Sequence, residues 1–261
     1  MEREGEILEE IVKSENKEGC LLITLNRPDR RNAINYDTMD RLKELLEKAA
    51  ADDRVKALAI TGAGNHAFCS GGDLKEFQNL KTEQEAYGML SKMGMVVYQL
   101  ATFPKPTVAV LNGTAIGGGC EIAAACDFRL AYSQAKIGFI QGNLGITTGW
   151  GGASILLEKM PYQTAMRLLL SAQKMTAEEA KSAGFVDAII DSFPEGLNQF
   201  IQSFLDKEAQ VLSAYKSAAV RKWVNNNLQE RINKEIRECA RLWATDSHEQ
   251  AVQRFIQKAG K

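Results

Sequence analysis

Three consecutive glycines, followed closely by one carboxylate, form the most unusual stretch of this 261-residue sequence. The stretch reads AIGGGCEIAAACD, and Glu121 lies in it among small apolar residues. Glycine has no side chain, so another group can approach its backbone closely. The pattern predicts such an approach at residues 117–119, by a packed element or by a ligand.

A second glycine loop occurs earlier, at Gly71 and Gly72 in the segment AFCSGGDLK. Each loop follows an apolar strand-like run and precedes a helix start, where N–H groups lack intrahelical partners and negative charge is favoured. Two facing loops could direct the N–H groups of Gly72 and Gly118 at one oxygen, as an oxyanion hole does. The alternatives are close packing of two elements and a phosphate loop. Neither GxxxxGK[ST] nor GxGxxG occurs in these loops, which disfavours the phosphate loop.

Glu121 falls in the first turn of the helix predicted after the glycines. The helix dipole favours its ionised form there. It is therefore either a charge that complements the helix end or a carboxylate of a pocket.

Composition narrows the class of protein. The chain is 45% hydrophobic and 25% charged with a net charge of −1, which is ordinary for a globular protein and gives no basic stripe for nucleic acid. The first residues do not resemble a signal peptide, and no apolar run is long enough to span a membrane. Five cysteines without CxxC spacing and only two histidines disfavour a zinc site and predict a reduced, cytoplasmic protein.

Strand and helix signals alternate in the first two thirds of the chain. Strands are predicted at 7–12, 20–25, 55–60, 107–111 and 186–190, and helices at 36–51 and 83–102. Thr176 and Glu179 form a capping-box pattern that opens a short helix ending at Gly184. After Pro194 only helical periodicity continues. We therefore expect an α/β core over residues 1–193 and a helical region over 194–261.

Five motifs together resemble the crotonase superfamily of enoyl-CoA hydratases, isomerases and their relatives. They are LNRPDRRNAIN (25–35), AFCSGGDLKEF (67–77), NGTAIGGGCEIAAACDFRLA (112–131), NLGITTGWGG (143–152) and MTAEEAKSAGFVDAI (175–189). The resemblance covers nearly the whole chain in the right order. It implies a ββα-superhelix core, C-terminal helices that drive assembly into trimers or hexamers, and an acyl-CoA substrate with no separate cofactor.

The resemblance also assigns the reacting groups. It implies that the thioester carbonyl oxygen binds the N–H groups of Gly72 and Gly118, and that Glu121 is the first of two hydratase glutamates. The second glutamate position holds Gln141, in the segment GFIQG. A carboxamide cannot exchange a proton at neutral pH, and loss of one such group commonly costs ~10²–10⁴ in rate. Efficient hydration is therefore not expected.

The segments ACDFRL, KIGFIQGNLGI and GWGGA resemble the ethylmalonyl-CoA decarboxylase branch of this superfamily more than a typical hydratase. Decarboxylation needs no base at the α-carbon, and a second carboxylate would repel the carboxylate of the substrate. We therefore expect a decarboxylase of malonyl-type acyl-CoA thioesters. The alternatives are an enoyl-CoA hydratase of fatty acid β-oxidation, an isomerase with Glu121 as its only base, and a non-catalytic acyl-CoA-binding relative.

Further contacts with the substrate and with coenzyme A are expected around these reacting groups. Arg27, Arg30, Arg31 and Lys75 are expected to meet the phosphates of coenzyme A, because Arg and Lys suit phosphate. The resemblance implies further contacts of coenzyme A with Phe255 and Lys258 of the last helix, which in the assembly could belong to a neighbouring subunit. The expected substrate-binding residues are Ala33, Ser70, Asp73, Leu74, Lys75, Gly117 and Trp150.

Three of these assignments have an alternative. Asp73 is expected either to bind substrate or to cap the following helix, and Trp150 either to line the pocket or to lie in the core. The basic residues are either phosphate contacts or solvated surface charges.

Overall fold

The computed structural model describes residues 11–259, without the side chains of Ile256, Lys258 and Ala259. Most of the strand predicted at 7–12, and the side chain of Lys258, therefore lie outside the described residues. The described chain combines ten strands with eleven α-helices. The predicted mixed α/β fold with helices at the C-terminal end is confirmed.

The larger sheet has six strands in the order β1-β2-β3-β5-β7-β10. Only β1 and β2 pair in antiparallel fashion, and the other neighbours are parallel. β3 and β5 are buried along their whole length, as apolar strands of parallel sheets usually are. The strands are β1 Val12–Lys17, β2 Cys20–Leu25, β3 Ala57–Gly62, β5 Thr107–Leu111, β7 Phe128–Tyr132 and β10 Ala188–Ile190.

The smaller sheet places the two glycine loops side by side. Its order is β4-β6-β8-β9, with β4 Ala67–Cys69, β6 Thr114–Ile116, β8 Lys136–Gly138 and β9 Met175–Thr176. β4 follows β3 along the chain, β6 follows β5, and β8 follows β7, so each step passes from the larger sheet to the smaller one. Because β4 and β6 pair in parallel, the loops that follow them leave the sheet at the same edge.

The eleven α-helices within residues 11–259 surround and connect the sheets. The first ones are α1 Tyr36–Ala51, α2 Leu74–Phe77, α3 Glu83–Ala101, α4 Gly118–Ala125, α5 Gly152–Lys159, α6 Tyr162–Ser171 and α7 Ala177–Ser182. The later ones are α8 Glu195–Leu205, α9 Ala209–Asn225, α10 Leu228–Trp243 and α11 Asp246–Ala259. A short 3₁₀ helix, Gln141–Leu144, follows β8. None of the described helices is long and apolar enough to cross a membrane.

Two predicted strands begin later in the structure than in the sequence pattern. Val55 was assigned to a strand, but its N–H donates to the carbonyl of Asp52 and closes a turn before β3. Val186 donates to the carbonyl of Ala180, at the end of α7, so β10 begins only at Ala188. Apolar composition alone does not reveal these local hydrogen bonds.

Helix α10 packs deep against the core. Ile236 lies so close to Gly94 of α3 that a Cβ at residue 94 would come within 2.5 Å of its side chain. Ile232 approaches Gly151, before α5, in the same way. The buried face of α10 therefore reaches the region in which the glycine loops lie.

Candidate active site

The two glycine loops approach each other as closely as their backbones allow. A Cβ on Gly71 would lie 3.2 Å from the amide nitrogen of Gly118, and a Cβ on Gly119 would lie 2.1 Å from the carbonyl oxygen of Cys69. Gly71 also has a φ of +96°, which favours glycine. Close packing of the loops therefore explains part of the glycine pattern.

The N–H groups of Gly72 and Gly118 are nevertheless unpaired. Within residues 11–259 neither donates a hydrogen bond, whereas Asp73 N–H binds Ile34 O at 2.8 Å and Gly117 N–H binds Gly138 O at 2.9 Å. These neighbours fix both loops. Gly118 is also the first residue of α4, where the helix dipole favours an anion. The two N–H groups can therefore bind one oxygen.

A cavity of about 280 Å³ lies beside these two N–H groups. Apolar side chains of α2, α3 and α10 form much of its wall, and the Trp150 ring packs against Gly118, where a Cβ would come within 2.1 Å of it. The predicted site residues on its wall are Arg30, Arg31, Ala33, Ser70, Gly72, Asp73, Leu74, Lys75, Gly117, Gly118, Glu121, Gln141, Trp150 and Phe255.

Glu121 of α4 lines the cavity and accepts four hydrogen bonds. Its Oε2 accepts from the N–H groups of Trp150 at 2.9 Å and Gly152 at 2.8 Å. Its Oε1 accepts from Nε2 of Gln141 at 2.9 Å and from the N–H of Gly149 at 3.3 Å. All four donors are neutral, and no lysine or arginine among the described residues forms an ion pair with this carboxylate.

The environment of Glu121 favours proton uptake. Burial raises the pKa of its carboxyl group to about 7, and the negative charge of Glu235 on α10 adds to the effect. The backbone N–H donors act in the opposite direction. Near neutral pH the group is therefore partly ionised, which is the condition that suits a group that both takes and releases a proton.

Gln141 begins the 3₁₀ helix and is 7% exposed. Because a carboxylate only accepts hydrogen bonds, Gln141 must direct its amide nitrogen at Glu121. Its Oε1 is then buried without a hydrogen-bond partner among the described residues. The side chain thus holds Glu121 in place and still requires a donor.

Asp73 and Arg27 have structural partners. Asp73 caps α2 by accepting from the N–H of Lys75 at 3.1 Å, as the alternative interpretation predicted. Arg27 donates to Asp73 at 2.8 Å and to the carbonyl of Ala33 at 2.6 Å. Two of the five guanidinium N–H groups are used in these bonds, and Arg27 does not lie on the cavity wall. The contact of Arg27 with coenzyme A stays a prediction.

Several wall residues come from the C-terminal helices and were not identified from the sequence. Cys239 and Trp243 lie one turn apart on α10, and His248 follows on α11. Nδ1 of His248 lies 2.7 Å from the carbonyl of Leu144, and because a carbonyl only accepts, this nitrogen carries the proton. Burial lowers the pKa of His248 and favours the neutral ring. The i, i+4 spacing of Cys239 and Trp243 was the only sequence signal.

The site combines two unpaired backbone donors, one carboxyl group that titrates near pH 7 and an apolar cavity. Such a site can bind a carbonyl oxygen, stabilise negative charge on it and move a proton next to it. The described residues contain no cluster of three His, Cys, Asp or Glu side chains suited to a metal ion.

Comparisons with known proteins agree with this geometry. A family model described as enoyl-CoA hydratase/isomerase matches residues 15–260. The short-chain-enoyl-CoA hydratase of Clostridium acetobutylicum is 32% identical over 247 residues, covering 93% of each chain. The crotonyl-CoA hydratase of Syntrophomonas wolfei is 32% identical over 249 residues, covering 94% of each.

The fold comparison points the same way. An enoyl-CoA hydratase structure from Bacillus halodurans superposes with a TM-score of 0.85 over 94% of this chain and 99% of that one. The two sequences are 23% identical, so this likeness concerns the fold alone.

Proposed function

The chain belongs to the enoyl-CoA hydratase/isomerase family of the crotonase superfamily, whose enzymes act on acyl-CoA thioesters, and from this premise we propose that it adds water to a short-chain enoyl-CoA thioester. The observation that carries the proposal is a carboxyl group with a pKa near 7 beside two unpaired backbone N–H groups. The names of the two hydratases above, a short-chain-enoyl-CoA hydratase and a crotonyl-CoA hydratase, support the same substrate class.

In this mechanism the thioester carbonyl oxygen lies between the N–H groups of Gly72 and Gly118. Water attacks the β-carbon, and the electron pair of the carbon–carbon double bond moves through the thioester to that oxygen, forming an enolate. Each backbone donor aimed at the developing charge is worth roughly 3 kcal/mol. The apolar wall strengthens the effect because it lowers the local dielectric.

Glu121 carries the proton. Its ionised carboxylate takes a proton from the attacking water and returns it to the α-carbon as the enolate collapses. Oε1 is the oxygen suited to this step, because it has the longest bond, 3.3 Å to Gly149 N–H, and a side-chain partner that can rotate. Oε2 is held by two short backbone bonds. The other carboxylate of the described wall, Asp73, is paired with Arg27.

Gln141 supports hydration through its unpaired acceptor. A buried carbonyl oxygen without a donor costs about 1–3 kcal/mol. An attacking water, or the hydroxyl of the hydrated product, can donate to Oε1. The carboxylate of a malonyl-type thioester offers only acceptors and leaves this oxygen unpaired.

Decarboxylation of a malonyl-type thioester is the second candidate, and the absence of charge on Gln141 favours it. Here the bond to the carboxylate breaks, carbon dioxide leaves, and the electron pair passes to the same thioester oxygen. A proton from Glu121 or solvent then completes the product. A second carboxylate in place of Gln141 would repel this substrate.

One pair of assays separates the two reactions. Hydration of crotonyl-CoA is followed by loss of enoyl absorbance, and decarboxylation of methylmalonyl- and ethylmalonyl-CoA by release of carbon dioxide. We expect the wild-type protein to hydrate crotonyl-CoA faster than it decarboxylates either malonyl ester. Carbon dioxide release without measurable hydration would contradict the proposal and establish the second candidate.

The variant Gln141→Glu sharpens this choice. It adds a proton-exchanging group beside Glu121, so hydration should rise, by up to ~10²-fold. The new negative charge should lower any decarboxylation. A hydration rate below that of the wild type would show that hydration requires the neutral amide of Gln141.

Three exposed cations at the cavity rim suit the phosphates of coenzyme A. They are Arg30, Arg31 and Lys75. Replacing Arg30 and Arg31 together by alanine should raise KM for acyl-CoA esters with little change in kcat, more strongly at low ionic strength. A KM equal to that of the wild type would show that these are only surface charges.

We also propose a homotrimer or hexamer, as the family resemblance implies. Large apolar side chains are exposed on several helices, among them Tyr215 at 77%, Leu170 at 76% and Tyr162 at 65%. Such surfaces favour burial against another subunit. Light scattering that shows a monomer at micromolar concentration would contradict this assembly.

A further inference from the structure

Two carboxylates from different helices bind the start of α5. Glu121 of α4 accepts from the N–H groups of residues 149, 150 and 152, and Glu235 of α10 accepts from those of residues 153 and 154. We call residues 148–154 the donor turn. Glu235 has no part in the mechanism described above.

Glu235 holds the donor turn at both of its ends. Its Oε1 accepts from the hydroxyl of Thr148 at 2.5 Å and from the N–H of Ala153 at 3.1 Å. Its Oε2 accepts from the N–H and the hydroxyl of Ser154 at 2.8 and 2.6 Å. The three N–H groups that bind Glu121 lie between these anchors, so the position of Glu235 sets the position of those donors.

We infer that Glu235 is a positioning residue for Glu121: it fixes the donor turn that orients the Glu121 carboxylate, and its negative charge acts on that carboxylate. The inference rests on the proposed function, in which Glu121 carries the proton. It extends the reaction machinery to α10, more than 100 residues away in sequence.

The charges around the pair support this role. Among the described residues no lysine or arginine forms an ion pair with Glu121 or Glu235. The other titratable groups that act on Glu121 among the described residues are the thiols of Cys120, its neighbour on α4, and of Cys239 on α10, and burial raises the pKa of both. They are therefore neutral near pH 7. Burial also raises the pKa of Glu235. The hydrogen bonds that Glu235 accepts from Thr148, Ala153 and Ser154 act in the opposite direction and stabilise its ionised form. In that form its negative charge raises the pKa of Glu121, so its removal should lower the pKa of Glu121.

Three variants separate the charge of Glu235 from its geometry. Glu235→Gln keeps the length and removes the charge, whereas Glu235→Asp keeps the charge and shortens the side chain. Glu158→Gln is the matched control. Glu158 lies on α5 and is paired with Arg231 of α10, but its side chain accepts no hydrogen bond from the donor turn.

The pKa of Glu121 is measured by an NMR pH titration of ligand-free protein with ¹³C-labelled glutamate carboxyl groups. The Glu121 signal is assigned as the one that is missing from the spectrum of Glu121→Gln. Glu235→Gln should lower the pKa of Glu121 by on the order of 1 unit. Glu235→Asp should leave it near 7. In crotonyl-CoA hydration both should lower kcat by about 10- to 100-fold with little change in KM. Glu158→Gln should change neither quantity.

A Glu121 titration in Glu235→Gln that coincides with the wild type would overturn the inference, because a purely structural role leaves it unmoved. If Glu235→Gln does not fold, a kcat for Glu235→Asp equal to that of Glu158→Gln overturns it instead. The NMR titration needs no turnover. A wild-type protein that does not hydrate crotonyl-CoA, together with a shifted titration in Glu235→Gln, would therefore refute the proposed function and still support the positioning role.

Discussion

The two ends of helix α4 lie in the same buried core, but side chains bind the backbone groups of only one of them. At the N-terminal end the N–H of Gly118 has no partner among the described residues, and Glu121 is held only by neutral donors. At the C-terminal end Lys159 donates to the carbonyls of residues 124, 125 and 126 at 3.0, 2.7 and 2.8 Å. Arg129 also binds the carbonyl of Cys126, at 2.8 Å.

The difference separates a helix end whose carbonyls are bound by side chains from a helix end whose first N–H group donates to no described residue. Lysine and arginine side chains at a helix C-terminus satisfy its carbonyls, and their charge complements the dipole. Burial lowers the pKa of Lys159 to about 7, so this charge is partial at neutral pH. An unpaired buried polar group costs about 1–3 kcal/mol, so an incomplete end lowers stability unless a ligand completes it. We therefore expect changes at the N-terminal end to alter turnover and changes at the C-terminal end to alter stability.

The largest effect is expected for Glu121→Gln. The variant cannot exchange a proton, so kcat for crotonyl-CoA hydration should fall by ~10²–10⁴. Binding of a saturated acyl-CoA, measured by calorimetry, should stay close to wild type. The fold should tolerate the change, because the amide of Gln141 can rotate and accept from the new Nε2. A turnover within a few-fold of wild type would reduce Glu121 to a helix-end charge.

Unfolding of the same variant tests the raised pKa. Because the pKa of Glu121 is raised from 4.5 to about 7, its stabilising contribution is complete below 4.5 and is lost as the pH rises through 7. Glu121→Gln has no carboxyl group at this position, so it does not lose stability in this way as the pH rises. Its free energy of unfolding should therefore increase relative to wild type between pH 4.5 and 7, and a constant difference over that range would contradict the shift.

The next effect is steric. Gly118→Ala keeps the N–H but places a Cβ within 2.1 Å of the Trp150 ring, so the ring or the loop must move. A displaced donor should lower kcat by ~10²-fold. Gly88→Ala is the matched control, because a Cβ there meets nothing within 4 Å and the residue lies inside α3. That change should stabilise the protein by about 0.5–1 kcal/mol without affecting kcat. Equal activity of the two variants would contradict the role of Gly118.

At the other end of α4, Lys159→Met should affect stability alone. It leaves three carbonyls of residues 124–126 without their ammonium donor, and we expect a loss of about 2–3 kcal/mol in the free energy of unfolding by urea. The kcat of the folded protein should stay within a few-fold of wild type. A large loss of kcat with unchanged stability would show that the two ends do not divide their roles in this way.

The sequence predicted the elements that rest on strong local patterns. Helix α1 occurs at Tyr36–Ala51 as predicted, and the Thr176 capping box opens α7. The glycine loops were identified because both the number of glycines and their position after strands were unusual. Pairing of β4 with β6 then placed Gly72 and Gly118 in one cavity.

The remaining site residues could not be predicted because long-range packing determines them. Glu235, Trp243 and His248 lie on the C-terminal helices. The apolar periodicity of these helices predicts that one face is buried, but it does not predict which part of the protein that face packs against. The role of Arg27 was predicted from charge alone, and only the structure shows that Asp73 and Ala33 already bind it.

The pH dependence of kcat/KM for crotonyl-CoA hydration tests the central claim most directly, because this ratio reports ionisations of the free enzyme. If ionised Glu121 is the proton-transferring group, the rate should rise with pH through a single midpoint near 7 and then level off. Glu121→Gln should retain only a low rate without that midpoint. A wild-type profile that is flat between pH 5.5 and 8.5, or a midpoint near 7 that survives in Glu121→Gln, would contradict the account.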